Sequence, residues 1–324
     1  MANPDIGQDV ASAYERVYPK KPTDNIFNSF ATLKAFDEKG FKVTAPGGRL
    51  FECPIEYAEN TTNQMVTEFQ QLDVTRIDVF DAARYDEKIC AGTVSYSWLQ
   101  MLKTQGDEAK FDLIEGLIEN ERNSHLATLS RQFWNTSTPG AAEITAIPTI
   151  ISSTPTTGTV GGINAANFSF WRNRQNSGAK TTTIFDNLVS QMNLTWNQCS
   201  LGGVRKTPTA LVSDLTTFNG YQSQMTTLLR YKSEDLKSGD IGWQNSAISY
   251  KGTPYFYDED APSATLYMLN NEVLKFEYLA GAWMKLFPAV DPANQLMNVH
   301  KLATVGNLIC SARRHLGVVT VTTS

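Results

Sequence analysis

The stretch that decides the fold is residues 105–135, QGDEAKFDLIEGLIENERNSHLATLSRQFWN. Its apolar side chains recur at three- and four-residue steps, which places them on one broad face: Phe111, Ile114, Leu117, Ile118, Leu126, Leu129 and Phe133. This spacing is typical of an amphipathic helix. Thr104 and Asp107 predict a capping box at its start, and Pro139-Gly140 predicts a firm end. The sequence therefore predicts one helix over 105–135, which is longer than most globular helices.

Two segments precede this helix at the N-terminal end. Residues 1–23 are polar and contain three prolines, which predicts an extended arm that orders on a partner surface. Residues 24–37 have helical apolar spacing, with Asp24 as the N-cap and Gly40 just beyond the C-terminal end. We expect a short helix there.

Residues 41–97 predict a long two-stranded excursion. A turn signal at 46–48 precedes an apolar strand that Pro54 interrupts, and the polar run 60–63 forms the tip. Apolar and polar residues alternate poorly along these strands, so we expect the hairpin to contribute little to the core of its own chain. An isolated hairpin is marginally stable in water, which favours an external partner surface. The alternative is that this segment folds back onto its own chain as an ordinary sheet.

The chain after residue 180 mixes helices and strands. Helical spacing covers 181–199 and a second stretch that begins at Asp214. Short apolar runs predict strands at 210–212, at 248–250 and 255–257 on either side of a turn at Lys251-Gly252, and at 266–269, 273–279 and within 297–321. No internal repeat is present. This order of elements predicts an α+β fold rather than an alternating β and α fold.

Composition excludes several classes of protein. The 324 residues include 28 Lys and Arg against 33 Asp and Glu, a formal net charge of −5, which disfavours a dedicated DNA-binding protein. No apolar run reaches the roughly 18 residues that span a bilayer. The sequence has 3 histidines, which weakens triad chemistry and multi-histidine metal sites. We interpret His125, on the apolar face of the long helix, as a packed core histidine. The cysteines are far apart and predict free thiols: Cys53, Cys90, Cys199 and Cys310.

Three clusters carry candidate chemistry. Asp258-Glu259-Asp260 either binds a divalent cation through oxygen or forms a solvated turn between two strands. The glycine-rich run 158–162 lacks the lysine of a phosphate-binding loop, which favours a flexible connection. Arg313-Arg314-His315 either contacts phosphate or acidic groups of another chain or forms a solvated strand end. No serine nucleophile motif is present, so the sequence offers almost no positive evidence of catalysis.

Several motifs together resemble the major capsid proteins of tailed bacteriophages. They run in family order and cover most of the chain: 46–49 leading into 54–57, 154–164 followed by Phe170-Trp171-Arg172-Asn173, 251–254 with 258–263, and 306–311 with Arg313-Arg314. Each motif alone is weak, and the set is fairly specific. The resemblance implies the Hong Kong 97-type capsid fold.

That fold implies a domain organisation. The resemblance places an N-terminal arm at 1–40, an extended loop at 41–97, a peripheral domain with the spine helix at 98–180, an axial domain at 181–296 and C-terminal strands of the peripheral domain at 297–324. In such proteins the extended loop lies over a neighbouring subunit. The order of elements deduced above from the residues agrees with this order of domains.

The implied function is self-assembly into an icosahedral head shell, from hexamers and pentamers, that encloses double-stranded DNA without specific binding. The implied partners are further copies of the chain, a portal, a separate scaffolding protein and a decoration protein, with no membrane partner and no cofactor. Because the capsid-like segments begin almost at once, we expect no large N-terminal domain that is removed later. The implied location is the virion, after assembly in the host cytoplasm.

Charged and amide side chains of the extended loop and the C-terminal strands are the expected contacts between subunits: Arg49, Glu52, Glu56, Glu59, Asn60, Asn63, Arg84, Arg313 and Arg314. Two other hypotheses remain open. One is an encapsulin-like compartment of the same fold, and the other is a metal-dependent enzyme that uses the Asp258–Asp260 cluster.

Overall fold

The computed structural model describes residues 30–48, 50–103, 107–179, 186–201, 206–229, 249–292 and 294–321. These residues divide into two units. The first unit contains Ile89–Leu129 and Gly281–Val305, and the second contains Phe30–Lys88, Ser130–Ala280 and the chain from Gly306 onward.

The elements follow one another in mixed order. The chain begins with α1 (Ala31–Glu38), β1 (Lys42–Ala45), β2 (Leu50–Glu56), β3 (Phe80–Asp86), β4 (Lys88–Ser97), α2 (Trp98–Lys103), α3 (Asp107–Phe133) and α4 (Ile147–Ile150). It continues with β5 (Thr159–Val160), β6 (Ile163–Asn164), β7 (Arg174–Ala179), α5 (Asp186–Ser200), β8 (Ala210–Ser213) and α6 (Leu215–Leu229). It ends with β9 (Ser249–Tyr250), β10 (Thr253–Tyr257), β11 (Thr265–Leu269), β12 (Leu274–Leu279), β13 (Lys285–Leu286), β14 (Met297–Cys310) and β15 (Gly317–Val321). Two 3₁₀ turns lie at Ser169–Trp171 and Arg313–His315.

The predicted long helix is confirmed as α3. Its burial is uneven, because His125, Leu129 and Phe133 are buried whereas Ile114 and Ile118 are half-buried. The predicted start at Thr104 lies outside the described residues, as does the predicted arm. The earlier helix, predicted over 24–37, is described over α1, and its end is followed by Gly40 with a φ of +74°.

A six-stranded sheet organises the second unit, in the order β7-β15-β11-β8-β10-β9. It mixes parallel pairs, such as β8 with β10, and antiparallel pairs, such as β11 with β15. Helices α5 and α6 bury apolar side chains against it in one cluster that includes Leu188, Met192, Trp196, Phe218, Tyr221, Tyr255, Leu266, Met268 and Val319. Asp214 caps α6 as predicted, since its carboxylate accepts a hydrogen bond from the Thr216 amide at 3.2 Å.

A second layer of the same unit joins distant parts of the chain. Strand β12 pairs in parallel with β1 and in antiparallel with the C-terminal part of β14. Beside it, the Phe133 ring lies 5.5 Å from that of Phe36 and 5.2 Å from that of Phe276. These aromatic contacts fix the last turn of α3 against the sheet.

The first unit contains β4, α2, most of α3, β13 and the N-terminal part of β14. His125 is buried there, and its Nε2 atom lies 2.8 Å from Thr304 Oγ1. Its Nδ1 atom lies 3.7 Å from Cys90 Sγ, and burial lowers the pKa of the imidazole. The prediction of a packed core histidine is confirmed. None of the described helices is long and apolar enough to cross a membrane.

Candidate functional site: an excursion on a docked hairpin

The base of the predicted excursion is a regular antiparallel hairpin. Leu50 of β2 lies opposite Asp86 of β3, and the register runs without interruption to Glu56 opposite Phe80. Burial alternates strictly along β2, so the expectation of poor alternation is wrong. Pro54 falls on an exposed position of this two-stranded ribbon, which tolerates a residue that lacks an amide N–H.

This hairpin base is docked on its own unit. The hydroxyl of Tyr85 donates a hydrogen bond to the carbonyl oxygen of Cys310 at 3.1 Å, and burial raises the pKa of that phenol well above its ordinary value. The Arg84 amide donates to the carbonyl oxygen of Gly161 at 3.0 Å. Burial also raises the pKa of the Cys53 thiol to about 11. The expectation that the hairpin contributes little to its own core is therefore wrong for the base.

The glycine-rich run supports this docking. Strands β5 and β6 form a small hairpin whose turn places Gly161 at a φ of +60°, and a Cβ atom there would lie 3.0 Å from both Ala83 and Tyr85. The indole of Trp171 donates a hydrogen bond to the carbonyl oxygen of Val160 at 3.0 Å. The run is thus an ordered turn against the hairpin base, rather than a phosphate-binding loop or a flexible connection.

Residues 57–79, which we call the excursion, extend from this base without regular secondary structure. The Tyr57 amide donates to the Val79 carbonyl oxygen at 3.0 Å and closes the segment at the hairpin base. Most other described hydrogen bonds within it are local: the Asn60 side chain accepts from the Thr62 amide at 3.1 Å, and Asp73 accepts from the Thr75 amide at 2.9 Å. Met65, Phe69 and Val74 are respectively 100%, 92% and 93% exposed. An exposed apolar patch rimmed by polar residues is typical of an interaction surface, and these nearly fully exposed apolar side chains within one short segment favour such a role.

Solved structures of shells match this architecture over nearly the whole chain. The capsid asymmetric unit of cyanophage A-1(L) matches with a TM-score of 0.68 at 13% sequence identity, covering 94% of this chain and 96% of the other. The capsid of a native GTA particle matches with a TM-score of 0.59 at 11% identity, covering 95% and 96%. The holo-SrpI encapsulin complex from Synechococcus elongatus matches with a TM-score of 0.58 at 8% identity, covering 99% and 96%.

The chain has the Hong Kong 97-type capsid fold. No protein-family model matches the sequence, and no curated protein does. The hairpin with its excursion and the helix α3 stand in the order expected for the extended loop and spine helix of this capsid fold.

The structure places the expected contact residues of the capsid fold in different settings. Glu52 and Arg84 face each other across the hairpin, with Arg84 Nε donating to Glu52 Oε1 at 3.1 Å, so this pair is satisfied within one chain. The remaining described side chains of the excursion set, Glu56, Glu59, Asn60 and Asn63, are exposed, as is Arg314. Arg49 lies outside the described residues.

Arg313 requires a correction, because it is fully buried in its own chain. Its Nε donates to the carbonyl oxygen of Ile150 at 2.6 Å, its Nη1 to that of Trp171 at 3.1 Å and its Nη2 to Asn173 Oδ1 at 3.2 Å. These hydrogen bonds join residues 150–173 to the turn between β14 and β15. Because its side chain is buried, Arg313 neither forms a solvated strand end nor is free to contact another chain.

The acidic cluster is a buried polar network. Asp258 Oδ2 accepts hydrogen bonds from the amide and hydroxyl of Thr32 at 3.0 and 2.5 Å. Asp260 Oδ2 accepts from Ser130 Oγ at 2.5 Å, and the Asp260 amide donates to Asp258 Oδ1 at 3.0 Å. These carboxylates tie α1 and α3 to the turn after β10. The expectation of a solvated turn is wrong for Asp258 and Asp260, while Glu259 is exposed.

The exposed apolar side chains of the excursion are not among the predicted contact residues: Met65, Val66, Phe69, Leu72 and Val74. Those predicted contacts also omit an exposed apolar group in the first unit, at Trp98, Leu99 and Leu102, whose helix begins where the Trp98 amide donates to the Leu296 carbonyl oxygen at 3.1 Å. The excursion could have been recognised from its sequence. Its apolar residues lie in a stretch rich in Thr and Gln and follow neither the two-residue period of a strand nor the 3.6-residue period of a helix.

Proposed function

We propose that this chain is the major capsid protein of a tailed double-stranded DNA bacteriophage. The fold supports the proposal, since the chain matches the cyanophage A-1(L) capsid subunit over nearly its full length. In this proposal the chain acts through recognition between identical copies, without catalysis. Its location is the virion.

The single observation that carries the proposal is the excursion. One copy leaves Met65, Phe69 and Val74 in water while the hairpin base beneath them is firmly docked. Full burial of one such side chain is worth about 1.5–3 kcal/mol. A second copy that covers them gains this energy at every repeat of the shell, so a rigid base and an apolar excursion together suit assembly.

The polar side chains in and beside the excursion fit a supporting role. Glu56 at the end of β2, and Glu59 and Asn63 in the excursion, are exposed, and an exposed ion pair is worth only about 0–1 kcal/mol. We propose that they set the register of the contact between subunits while apolar burial supplies most of the affinity. The Glu52–Arg84 pair, already formed within the chain, fixes the hairpin instead.

The domain roles follow the same proposal. Residues 1–40 serve as the arm, 41–97 as the extended loop, 98–180 as the peripheral domain, 181–296 as the axial domain and 297–324 as the returning strands. Hexamers and pentamers of the chain, a portal, a separate scaffolding protein and a decoration protein are the proposed partners. Assembly takes place in the host cytoplasm.

The test is a double substitution in the excursion, Phe69→Ser with Val74→Ser. We expect the free chain to melt as the wild type does, because both side chains are exposed, while shells disappear in sedimentation and electron microscopy. The matched control, Thr61→Ser with Gln71→Ser, changes two exposed polar side chains of the same segment and should assemble. Normal shells from the apolar variant would refute the role of the excursion, and no shells from the wild type, either alone or co-expressed with the neighbouring genes, would refute the function.

An encapsulin-like compartment is the second candidate, because the encapsulin from Synechococcus elongatus shares the fold over 99% of this chain. Neighbouring genes for terminase and portal proteins, and DNA inside native particles, would favour the phage capsid. Cargo enzymes inside them would favour the compartment. The hypothesis of a metal-dependent enzyme has less support, because the described residues contain no group of three or more His, Cys, Asp or Glu side chains that could hold a metal ion.

A further inference from the structure

Four basic side chains converge where the 3₁₀ turn Arg313–His315 meets the end of α5. His315 is buried, and its Nδ1 lies 2.8 Å from the carbonyl oxygen of Cys199. Nδ1 therefore donates the proton, which leaves Nε2 as the acceptor for the Arg314 Nε–H at 3.5 Å. Arg174 belongs to the group because its backbone pairs with Gly317 and Leu316, directly beside His315. Lys206 lies near enough for its positive charge to lower the pKa of His315, as those of Arg174 and Arg314 do. We call these four residues the basic cluster.

The backbone explains why residues so distant in sequence meet here. Arg174 begins β7, lies opposite Gly317 of β15 and donates its amide to the Leu316 carbonyl oxygen at 2.9 Å. A Cβ atom on Gly317 would lie 2.8 Å from Cys199 Sγ, so this glycine allows the last turn of α5 to approach His315. Lys206 follows α5, and its carbonyl oxygen accepts a hydrogen bond from Asn270 at 2.8 Å.

The basic cluster has no negative counterpart in the described part of the chain. Every charge found to act on His315 is positive, and together with burial, which is the largest cause, these charges lower its pKa. None of the ion pairs among the described residues involves Arg174, Lys206 or Arg314. The Nε–H of Arg174 is buried without an acceptor among those residues. The buried Nε–H of Arg174 and the two exposed cations near it therefore form a place where an anion can accept hydrogen bonds and balance positive charge.

We propose that the basic cluster binds a phosphate group. Lys206 and Arg314 are exposed and reach the ligand, while Arg174 is half-buried and adds its charge from the β7 side. A guanidinium matches the oxygens of a phosphate in a bidentate pair, and an ammonium adds a point charge. His315 stays neutral and holds Arg314 in place. The phosphate comes either from the backbone of enclosed DNA or from free phosphate.

A nucleic-acid source is compatible with the proposed capsid function and rests on it. Contacts to the DNA backbone position a protein without conveying sequence information, so such contacts agree with a shell that encloses DNA without specific binding. A free phosphate source does not depend on the capsid function.

The experiment compares two double variants of the full chain. Lys206→Gln with Arg314→Gln removes two charges from the basic cluster, and Lys285→Gln with Lys301→Gln removes two exposed charges of the first unit. A fluorescent DNA duplex is titrated at several salt concentrations, and melting is recorded in sodium phosphate and in sodium chloride of equal ionic strength.

We expect the cluster variant to bind the duplex more weakly, with the slope of log affinity against log salt reduced by about 2, while the control keeps the wild-type values. The cluster variant could instead lose the phosphate-induced rise in melting temperature while it binds the duplex as the wild type does. That result supports a site for free phosphate and excludes the DNA source. If neither ligand distinguishes the cluster variant from the control, the proposal is wrong.

Sedimentation separates this proposal from the capsid function. A wild-type chain that binds phosphate through the cluster and forms no shells would leave this proposal standing and refute the capsid function. A wild-type chain that forms shells but binds neither DNA nor phosphate through the basic cluster would refute this proposal and leave the capsid function standing.

Discussion

Gly306 of β14 lies so close to Glu277 of β12 that a Cβ atom on the glycine would stand 2.6 Å from the Glu277 carbonyl oxygen. The same atom would lie 2.9 Å from the Phe276 ring and 3.0 Å from Tyr278 Cβ. Since the obstacle includes strand backbone, a side chain cannot be accommodated by a rotamer change. Gly306 therefore sets the approach of two strands that hold the core around Phe276.

Substituting Gly306→Ala should destabilise the second unit. Forcing a methyl group into a filled strand pair costs about 1–3 kcal/mol, so the melting temperature followed by circular dichroism should fall by several degrees. Gly140→Ala is the matched control, because its Cβ would meet Glu143 at an ordinary 3.7 Å. Equal stability of the two variants would show that β12 and β14 separate more easily than their contact implies.

Truncating Phe133→Ala should remove the centre of the aromatic group at the end of α3. The ring is fully buried between Phe36 and Phe276, and loss of such a ring costs about 3–5 kcal/mol. Arg131→Ala, on the exposed side of the same turn, should change the free energy of unfolding by roughly 0.5 kcal/mol or less. Urea denaturation measures both. Similar losses would mean that the face of the helix is assigned wrongly.

Replacing Arg313→Met should leave two buried acceptors without their donor, the carbonyl oxygens of Ile150 and Trp171, while Asn173 Oδ1 still accepts from the Ser152 amide at 3.2 Å. An unsatisfied buried polar group costs about 1–3 kcal/mol, so the total loss in urea denaturation should reach several kcal/mol. Arg314→Met, which removes the exposed neighbour, should cost far less. A mild effect at Arg313 would indicate that the 150–173 segment is held mainly by Trp171 and its apolar contacts.

Local patterns predicted most of the fold. The spacing from Ile114 to Phe133 gave α3 to within two residues at each end, since helical periodicity depends on near neighbours. The turn signal at Lys251-Gly252 likewise lies between β9 and β10, with Lys251 at a φ of +51°. Such features need no knowledge of the tertiary structure.

The settings of individual charges could not be predicted in this way. Arg313 and Arg314 are adjacent and identical in type, yet only the first is buried. Asp258 is buried because Thr32, distant in sequence, supplies its hydrogen bonds. Both outcomes depend on long-range contacts that a single sequence does not display. The exposed apolar side chains of the excursion escaped prediction for the opposite reason, since the described part of the chain offers Met65, Phe69 and Val74 no surface that imposes a period on the sequence.

The last prediction concerns pH and His125. Burial lowers the pKa of its imidazole below the ordinary value of 6.5. The groups nearest to it are the Cys90 thiol of β4, whose pKa burial raises, and the Thr304 hydroxyl of β14. Glu121, on its own helix, has a pKa raised by burial. As pH falls below 6.5, the unfolded chain takes up a proton at this position that the folded chain refuses, so the free energy of unfolding decreases.

The limiting slope for one such histidine is about 1.4 kcal/mol per pH unit. Urea denaturation of wild type and His125→Gln between about pH 7.5 and 6 isolates the effect, because glutamine keeps hydrogen-bonding groups and binds no proton in this range. His315, whose pKa is also lowered by burial, contributes equally to both proteins and cancels in the difference. The wild type should lose stability more steeply than the variant below about pH 6.5, whereas parallel curves would show that His125 accepts its proton in the folded state as readily as in the unfolded chain.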